Sequence, residues 1–287
     1  MTRGKHSCNK QFVNFTHELR EEEVTTQPHA PYMYDIVKEL QIECFKQNLS
    51  NEESLEFSKN YILNYTVSKK QKDEVCSSTV GQSCNENWFR HRIGRITGSV
   101  AHRVLTRRET TDPSNLVSEI MGKKSFNDDR LPPQIKYGRV HEEDALKHCI
   151  SIERLKTAKF SVLKTGLVLL NNYPFLGASP DGITSNGKVV EVKCSWKFKE
   201  QTPKEAAINS GHFEEIKGEL QLKKSCPWYT QLHFEMAVCE LKEGVLILYT
   251  DRGVCTVSVL FDEQFWNHAL EKLKDFFIGF VLPELLK

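Results

Sequence analysis

The chain has 287 residues, a formal net charge of +1 and 39% hydrophobic residues, which suits one large globular domain or a domain with an extension. The sequence holds no apolar run of the roughly eighteen residues a membrane-spanning helix needs, and residues 1–30 lack the apolar stretch of a secretory signal, so a soluble, intracellular protein with no membrane partner is expected. The near-zero charge removes bulk basicity as an argument for nucleic acid, so that reading has to rest on local residues.

Residues 1–30 are polar and unpatterned and are expected to be disordered. From Pro31 to Asn64, Met33, Ile36, Val37 and Leu40, then Leu55, Phe57, Tyr61 and Ile62, recur at three- and four-residue steps and predict helix. Residues 66–85 show no apolar period and read as a polar linker or exposed loop. Residues 1–85 are thus read as a partly helical N-terminal extension, and 86–287 as the main domain. Two short pieces lie between Trp88 and Leu105, the second a helix with Ser99 as its N-cap. Pro132-Pro133 opens a long helix over 133–152. FSVLK and GLVLL are strand-like. The segment from Phe175 to Ser195 reads as a hairpin, because Asn186-Gly187 is the preferred pair for a two-residue turn. Helices are expected over 203–209 and 227–240, strands at GVLILYT and VCTVSVLF, and a final amphipathic helix from Asp262 to Leu286 interrupted near Pro283. The nine cysteines are scattered and odd in number, which points to reduced thiols.

Three carboxylates and a lysine break this pattern. In KVVEVKC (188–194), strand alternation puts Val190, Val192 and Cys194 on one face and Glu191 and Lys193 on the other. Alone, that is also what a half-exposed strand looks like. A two-residue turn would set Gly182 opposite Glu191 and deliver Asp181 beside it, provided the chain bends at Pro180-Asp181-Gly182 to turn Asp181 inward. Adjacent carboxylates raise each other's pKa unless a cation lies between them, and a hard ion such as Mg²⁺ suits oxygen ligands. Lys193 is placed to position a water or to stabilise charge on a phosphate. Glu142 shares a helical stripe with Ile135, Gly138, Ala145, Leu146 and Cys149, where an unpaired carboxylate is costly. It is either a boundary residue paired with Arg139 or a carboxylate turned toward a metal site.

Ser179-Pro180-Asp181-Gly182 followed by Glu191-Val192-Lys193 is similar to the signature of the PD-(D/E)xK nuclease superfamily. Three companions stand in order: Arg92-Ile93-Gly94-Arg95-Ile96-Thr97-Gly98-Ser99 after Trp88, Tyr137-Gly138-Arg139-Val140-His141-Glu142, and Tyr229-Thr230-Gln231-Leu232-His233. The set resembles the YqaJ viral recombinase family, which is lambda-exonuclease-like, over 86–275. The resemblance implies an α/β fold with a restriction-endonuclease-like core: a central mixed sheet flanked by helices, with the site at one sheet edge. It implies a Mg²⁺-dependent deoxyribonuclease, with Mn²⁺ as substitute, that digests duplex DNA ends from the 5′ side in recombination or repair. Asp181, Glu191 and the backbone carbonyl of Val192 would hold the principal ion. Glu142 would serve a second ion about 4 Å away. Lys193 would activate the water, Gln231 would place the substrate or that lysine, and Arg92 and Ser99 would contact a terminal or scissile phosphate.

A homotrimer, a single-strand annealing partner and, in a eukaryotic host, a nuclear location are implied by the family alone. Gly98 stands where the family often has Ala, a change expected to be tolerated. His233 stands where a second Gln is common, which leaves its role open. The cysteines do not group as iron–sulfur ligands and no Cys/His spacing fits zinc, so neither is expected. Three other readings stand beside the exonuclease. They are a structure-specific endonuclease on the same core, an inactive nucleic-acid-binding descendant, and an interaction module built on the N-terminal helices. Arg107-Arg108, Lys123-Lys124 and Lys223-Lys224 read as phosphate contacts or as ordinary solvated surface. Trp88, Trp196, Trp228 and Trp266 read as base-stacking or core residues, with Trp266 assigned to the core.

Overall fold

The computed structural model describes residues 31–123 and 131–287. The disorder expected of residues 1–30 lies outside them. Helices α1 (Met33–Lys46) and α2 (Asn51–Asn64) open the described chain. Met33, Ile36, Val37 and Leu40, the residues of the apolar series, are buried on α1. Residues 66–85 are not the linker expected, because Lys69–Ser78 forms α3, started by a reciprocal capping box between Ser68 and Gln71. Val75 is its one buried residue, and the rest are polar, charged or sulfhydryl. A helix held by its caps and a single apolar anchor leaves no period to read.

A 3-10 turn (Gln82–Cys84) joins α3 to α4 (Glu86–Arg92). Then come β1 (Ile96–Thr97), α5 (Gly98–Leu105) and α6 (Ser114–Ile120). Thr97 occupies the N-cap position of α5, so Ser99 stands in its first turn and not at the cap expected. The long helix α7 runs Pro133–Lys156; Tyr137, Ala145, Leu146 and Cys149 are buried on it, whereas Ile135 is exposed.

Strands β2 (Val162–Leu163), β3 (Val168–Leu169), β4 (Leu176–Ala178), β5 (Gly182–Thr184) and β6 (Val189–Cys194) follow. After them lie α8 (Pro203–Asn209), the hairpin β7 (Phe213–Ile216) and β8 (Glu219–Leu222), α9 (Pro227–Val238), β9 (Glu243–Thr250), β10 (Gly253–Leu260) and α10 (Glu263–Phe276). The main sheet has the order β10-β9-β6-β5-β2, with β6 parallel to β9 and the other neighbours antiparallel. A smaller mixed sheet has the order β1-β4-β3.

This is the mixed, helix-flanked α/β fold expected, with one correction. Strand β6 is the middle strand of the main sheet, so its charged residues do not lie at an edge. The parallel crossover through α9 brings β9 and β10 onto the far side of β6 and covers it. Both faces of β6 are packed. Val190 and Val192 meet Ala145, Leu146 and Cys149 of α7, while Val189 meets Leu232 and Met236 of α9. Each such valine stabilises the fold by roughly 1.5–3 kcal/mol on burial. Burial on both faces is why the run reads VVEV and not as clean alternation.

The helices of the extension have no separate core. Met33, Ile36, Val37 and Ile62 share one cluster with Ile96, Phe175, Phe277 and Leu282. Helix α10 gives way at Phe277–Val281 to a π-turn, and Pro283 then sits in the first turn of the terminal helix α11 (Leu282–Leu285). The interruption thus begins upstream of Pro283, whose missing N–H cannot serve the preceding turn. Among the described residues no helix is long and apolar enough to cross a membrane.

Candidate active site

The site begins with the register of the β5–β6 hairpin. Gly182 pairs with Val190 and Ile183 with Val189, and Thr184 N–H donates to the Lys188 carbonyl at 2.9 Å. The loop is therefore Ser185-Asn186-Gly187, with Gly187 left-handed (φ 78°), and not the two-residue turn expected. The Thr184 hydroxyl selects it, donating to Asn186 Oδ1 at 2.6 Å and accepting Lys188 N–H at 2.9 Å. Continued by one step, this register sets Asp181 opposite Glu191 on the same face. The backbone also bends at Asp181, and its Oδ2 accepts the Val192 N–H at 2.6 Å.

Glu191 is 4% exposed, so β6 does not display a solvated charged face. Its Oε1 accepts from Lys193 Nζ at 2.6 Å and from Gln231 Nε2 at 2.6 Å. Gln231 Oε1 accepts from Lys193 Nζ at 3.0 Å, which closes a three-residue ring between β6 and α9. Glu142, half-buried on α7, completes the acidic group. Burial first, then the charges of Glu191 and Glu142, hold the Asp181 carboxyl well above the usual carboxylate range. Burial and the Glu191 charge raise Glu142 as well. Burial works to lower the Lys193 ammonium, but the Glu191 charge and hydrogen bond outweigh it, and the net direction is up. Lys193 is therefore a charged donor at neutral pH.

Sequence reasoning missed Glu235. It is 2% exposed on α9, and its Oε1 accepts from Gln231 Nε2 at 2.9 Å. Its Oε2 has no hydrogen-bond partner among the described residues. Burial, followed by the Glu191 charge, pushes this carboxyl well above the usual range. The signal was present in HFEMAV: a lone acid inside an apolar helix, four residues after Gln231. Gly98 makes room for this pair. A Cβ there would lie 3.3 Å from Gln231 Cγ and 3.3 Å from Glu235 Oε1, so an alanine would press on both side chains.

Arg92 and Ser99 are brought together. Arg92 Nη2 donates to Thr97 Oγ1 at 3.2 Å and Ser99 Oγ at 3.5 Å, and its guanidinium lies 4.1 Å over the Trp88 ring. Burial pulls Arg92 down to about 10, which leaves it charged at neutral pH. His233 is fully buried, stacked on Tyr229 at 3.9 Å and bonded through Nδ1 to the Tyr229 carbonyl at 2.8 Å. Its ring packs among Tyr229, Phe261 and Phe265. Of the basic pairs, Lys123 binds Glu284 and Lys224 binds Asp262, each at 2.6 Å, and Arg107 lies over Phe280. Lys124 is outside the described residues. Trp266 is buried as expected, while Trp196 is 40% exposed.

Glu142, Asp181 and Glu191 could supply the hard oxygens that a divalent ion takes, and the mutual repulsion that adds to burial in raising Asp181 and Glu142 is what such an ion would relieve. Both hydrogen bonds to Glu191 fall on Oε1. The donor set fits the ion by its chemistry, although among the described residues no three His, Cys, Asp or Glu side chains stand as a finished ligand cluster.

The family model described as the YqaJ-like viral recombinase domain matches residues 87–239. Among solved structures, LHK-Exo, an alkaline exonuclease from Laribacter hongkongensis, aligns in its complex with dAMP at a TM-score of 0.52 and 20% identity, over 70% of this chain and 94% of that one. A second crystal structure of the same exonuclease gives 0.52 and 19% over the same shares. The shutoff and exonuclease protein of Kaposi's sarcoma-associated herpesvirus aligns at 0.50 and 13%, over 81% of this chain and 75% of that one. At these identities the likeness establishes the fold. No curated protein sequence matches the chain.

Proposed function

The chain belongs to the YqaJ-like viral recombinase domain family, and on that premise we propose that it is a metal-dependent deoxyribonuclease, with residues 86–287 as its nuclease domain. The observation that carries this reading is the closed Lys193–Glu191–Gln231 ring on the strand face where the half-buried Asp181 carboxylate stands opposite Glu191. Asp181, Glu191 and the Val192 carbonyl would hold one Mg²⁺ or Mn²⁺, and Glu142 a second. Bound there, the ions supply Lewis acidity toward a phosphodiester and its leaving oxygen.

The chain's own residues do the remainder. Lys193 presents its ammonium to the attacking water or to the negative charge growing on phosphorus, at a point set by Glu191 and Gln231. Gln231 orients that lysine from the opposite helix, so both donors are aimed before substrate arrives. Arg92 and Ser99 offer a guanidinium and a hydroxyl to a terminal or scissile phosphate. The proposed substrate is duplex DNA with a free end, digested from its 5′ side. A homotrimer and a single-strand annealing partner belong to the same proposal.

Linear duplex labelled at the 5′ or the 3′ end, incubated with Mg²⁺ beside a covalently closed circle, tests this. Early loss of the 5′ label with the circle intact is expected. Linearisation of the circle would give an endonuclease instead. Retained DNA binding with no cleavage in Mg²⁺ or Mn²⁺ would contradict the enzyme reading.

A further inference from the structure

The residues just before Asp181 are gripped by the extension. Gln82 Nε2 donates to the Pro180 carbonyl at 2.9 Å and to the Thr165 carbonyl at 3.3 Å. The Thr165 hydroxyl donates to the same Pro180 carbonyl at 2.9 Å. One residue earlier, the Trp88 indole N–H donates to Ser179 Oγ at 2.8 Å. Pro180 has no N–H, so its carbonyl is the one backbone hydrogen-bonding group by which it can be held.

The grip is itself anchored. The Thr79 hydroxyl accepts Leu167 N–H at 2.7 Å and donates to the Val75 carbonyl at 2.6 Å. A Cβ on Gly166 would lie 2.0 Å from the Cys76 carbonyl oxygen, so the end of α3 sits against this loop at a distance that needs glycine. The Asn85 amide closes the intervening turn on the Ser78 and Val80 carbonyls at 2.8 and 2.9 Å. Inside that turn Gln82 is left-handed (φ 45°), directly after Gly81 (φ 94°). A non-glycine residue there is strained, and such strain persists where the surroundings over-determine it.

We infer that Gln82 is a positioning residue for Asp181: by fixing the Pro180 carbonyl it sets the bend that brings the Asp181 carboxylate to Val192 N–H and opposite Glu191. The segment 67–88 is then part of the active-site scaffold and not an appended module. Truncation from residue 86 removes the Gln82 contacts together with Met33, Ile36 and Ile62 of the shared core, so it does not isolate a separate interaction function. The catalytic consequence rests on the nuclease reading; the geometric one does not.

The test uses the full chain with Gln82→Gly, which suits the left-handed backbone and deletes the amide donor, and with Gln82→Asn, whose shorter amide cannot span to both carbonyls. Thermal unfolding, single-residue amide exchange by NMR, DNA affinity in EDTA and kcat in Mg²⁺ are compared with the parent. In both variants unfolding temperature and DNA affinity should hold. The Val192 amide should exchange at least about tenfold faster, while Val190 and Ile247 keep their rates. The kcat should fall roughly tenfold or more. Unchanged exchange at Val192, or an unchanged kcat in an active enzyme, overturns the inference. A parent with no nuclease activity whose Gln82→Gly form still exchanges faster at Val192 contradicts the nuclease reading alone and leaves the positioning role standing.

Discussion

Gln231 and Lys193 meet across the gap between α9 and β6, the amide oxygen accepting the ammonium at 3.0 Å while the same amide donates to Glu191 at 2.6 Å. Gln231 thereby holds both members of the charged pair on β6. Replacing it by Leu keeps most of the volume and removes both bonds. The kcat of Gln231→Leu should fall about ten- to a hundredfold, with a far smaller effect on DNA affinity. Steady-state rates beside a binding isotherm check this, and a parental kcat would remove Gln231 from the machinery.

Glu235 gives a stability prediction with a definite sign. Its folded pKa lies above the ordinary 4.5, so its contribution is fully present below that pH and is lost as pH rises through the folded value. Glu235→Gln keeps an acceptor for Gln231 and carries no proton to lose. The variant should match the parent near pH 4 and become the more stable of the two as pH rises above about 4.5. Urea unfolding across this range reads the divergence. Parallel pH profiles would show that folding does not raise the Glu235 carboxyl.

Gly98 is predicted to resist its most conservative replacement. The added methyl of Gly98→Ala meets Gln231 Cγ and Glu235 Oε1 at 3.3 Å, and overpacking of this kind costs about 1–3 kcal/mol. The strain falls on the side chain that orients Lys193, so kcat should drop together with the unfolding temperature. Recovery of kcat in Gly98→Ala combined with Glu235→Ala, which empties the crowded space, would locate the clash.

His91 should make the fold acid-sensitive. Burial, reinforced by Arg95 and Arg90, pushes its imidazole down to about 3 from an ordinary 6.5, and its ring lies tilted against Tyr32 with centroids 4.3 Å apart. The unfolded chain therefore binds this proton first, and stability falls as pH drops from about 6.5 toward 3. His91→Leu should flatten that limb, whatever it does to stability at pH 7. Equal slopes for the two proteins between pH 7 and 5 would contradict the assignment.

The acidic centre was legible because its residues offend their surroundings. A glutamate and a lysine in a valine-rich strand, and an aspartate between proline and glycine, stand out from the pattern and match a known signature. Glu235 offended equally but matched no signature, and it went unread until Gln231 was seen to hold it. The hairpin was legible and its register was not, because Asn186-Gly187 favours a two-residue turn that the Thr184 hydroxyl overrides. Helix α3 was invisible to periodicity, since Val75 alone anchors it. The role of Gln82 lay beyond any local reading, because its partners stand 83 and 98 residues away.

Metal-dependent cleavage at the Asp181–Lys193 centre is tested by hydrolysis of 5′-labelled linear duplex by the parent, Asp181→Asn and Lys193→Met, each in Mg²⁺ and in EDTA, with DNA affinity measured alongside. Cleavage by the parent in Mg²⁺ only is expected, with loss of at least about a hundredfold in both variants and affinity retained. Cleavage that survives EDTA, or parental rates in either variant, would contradict it.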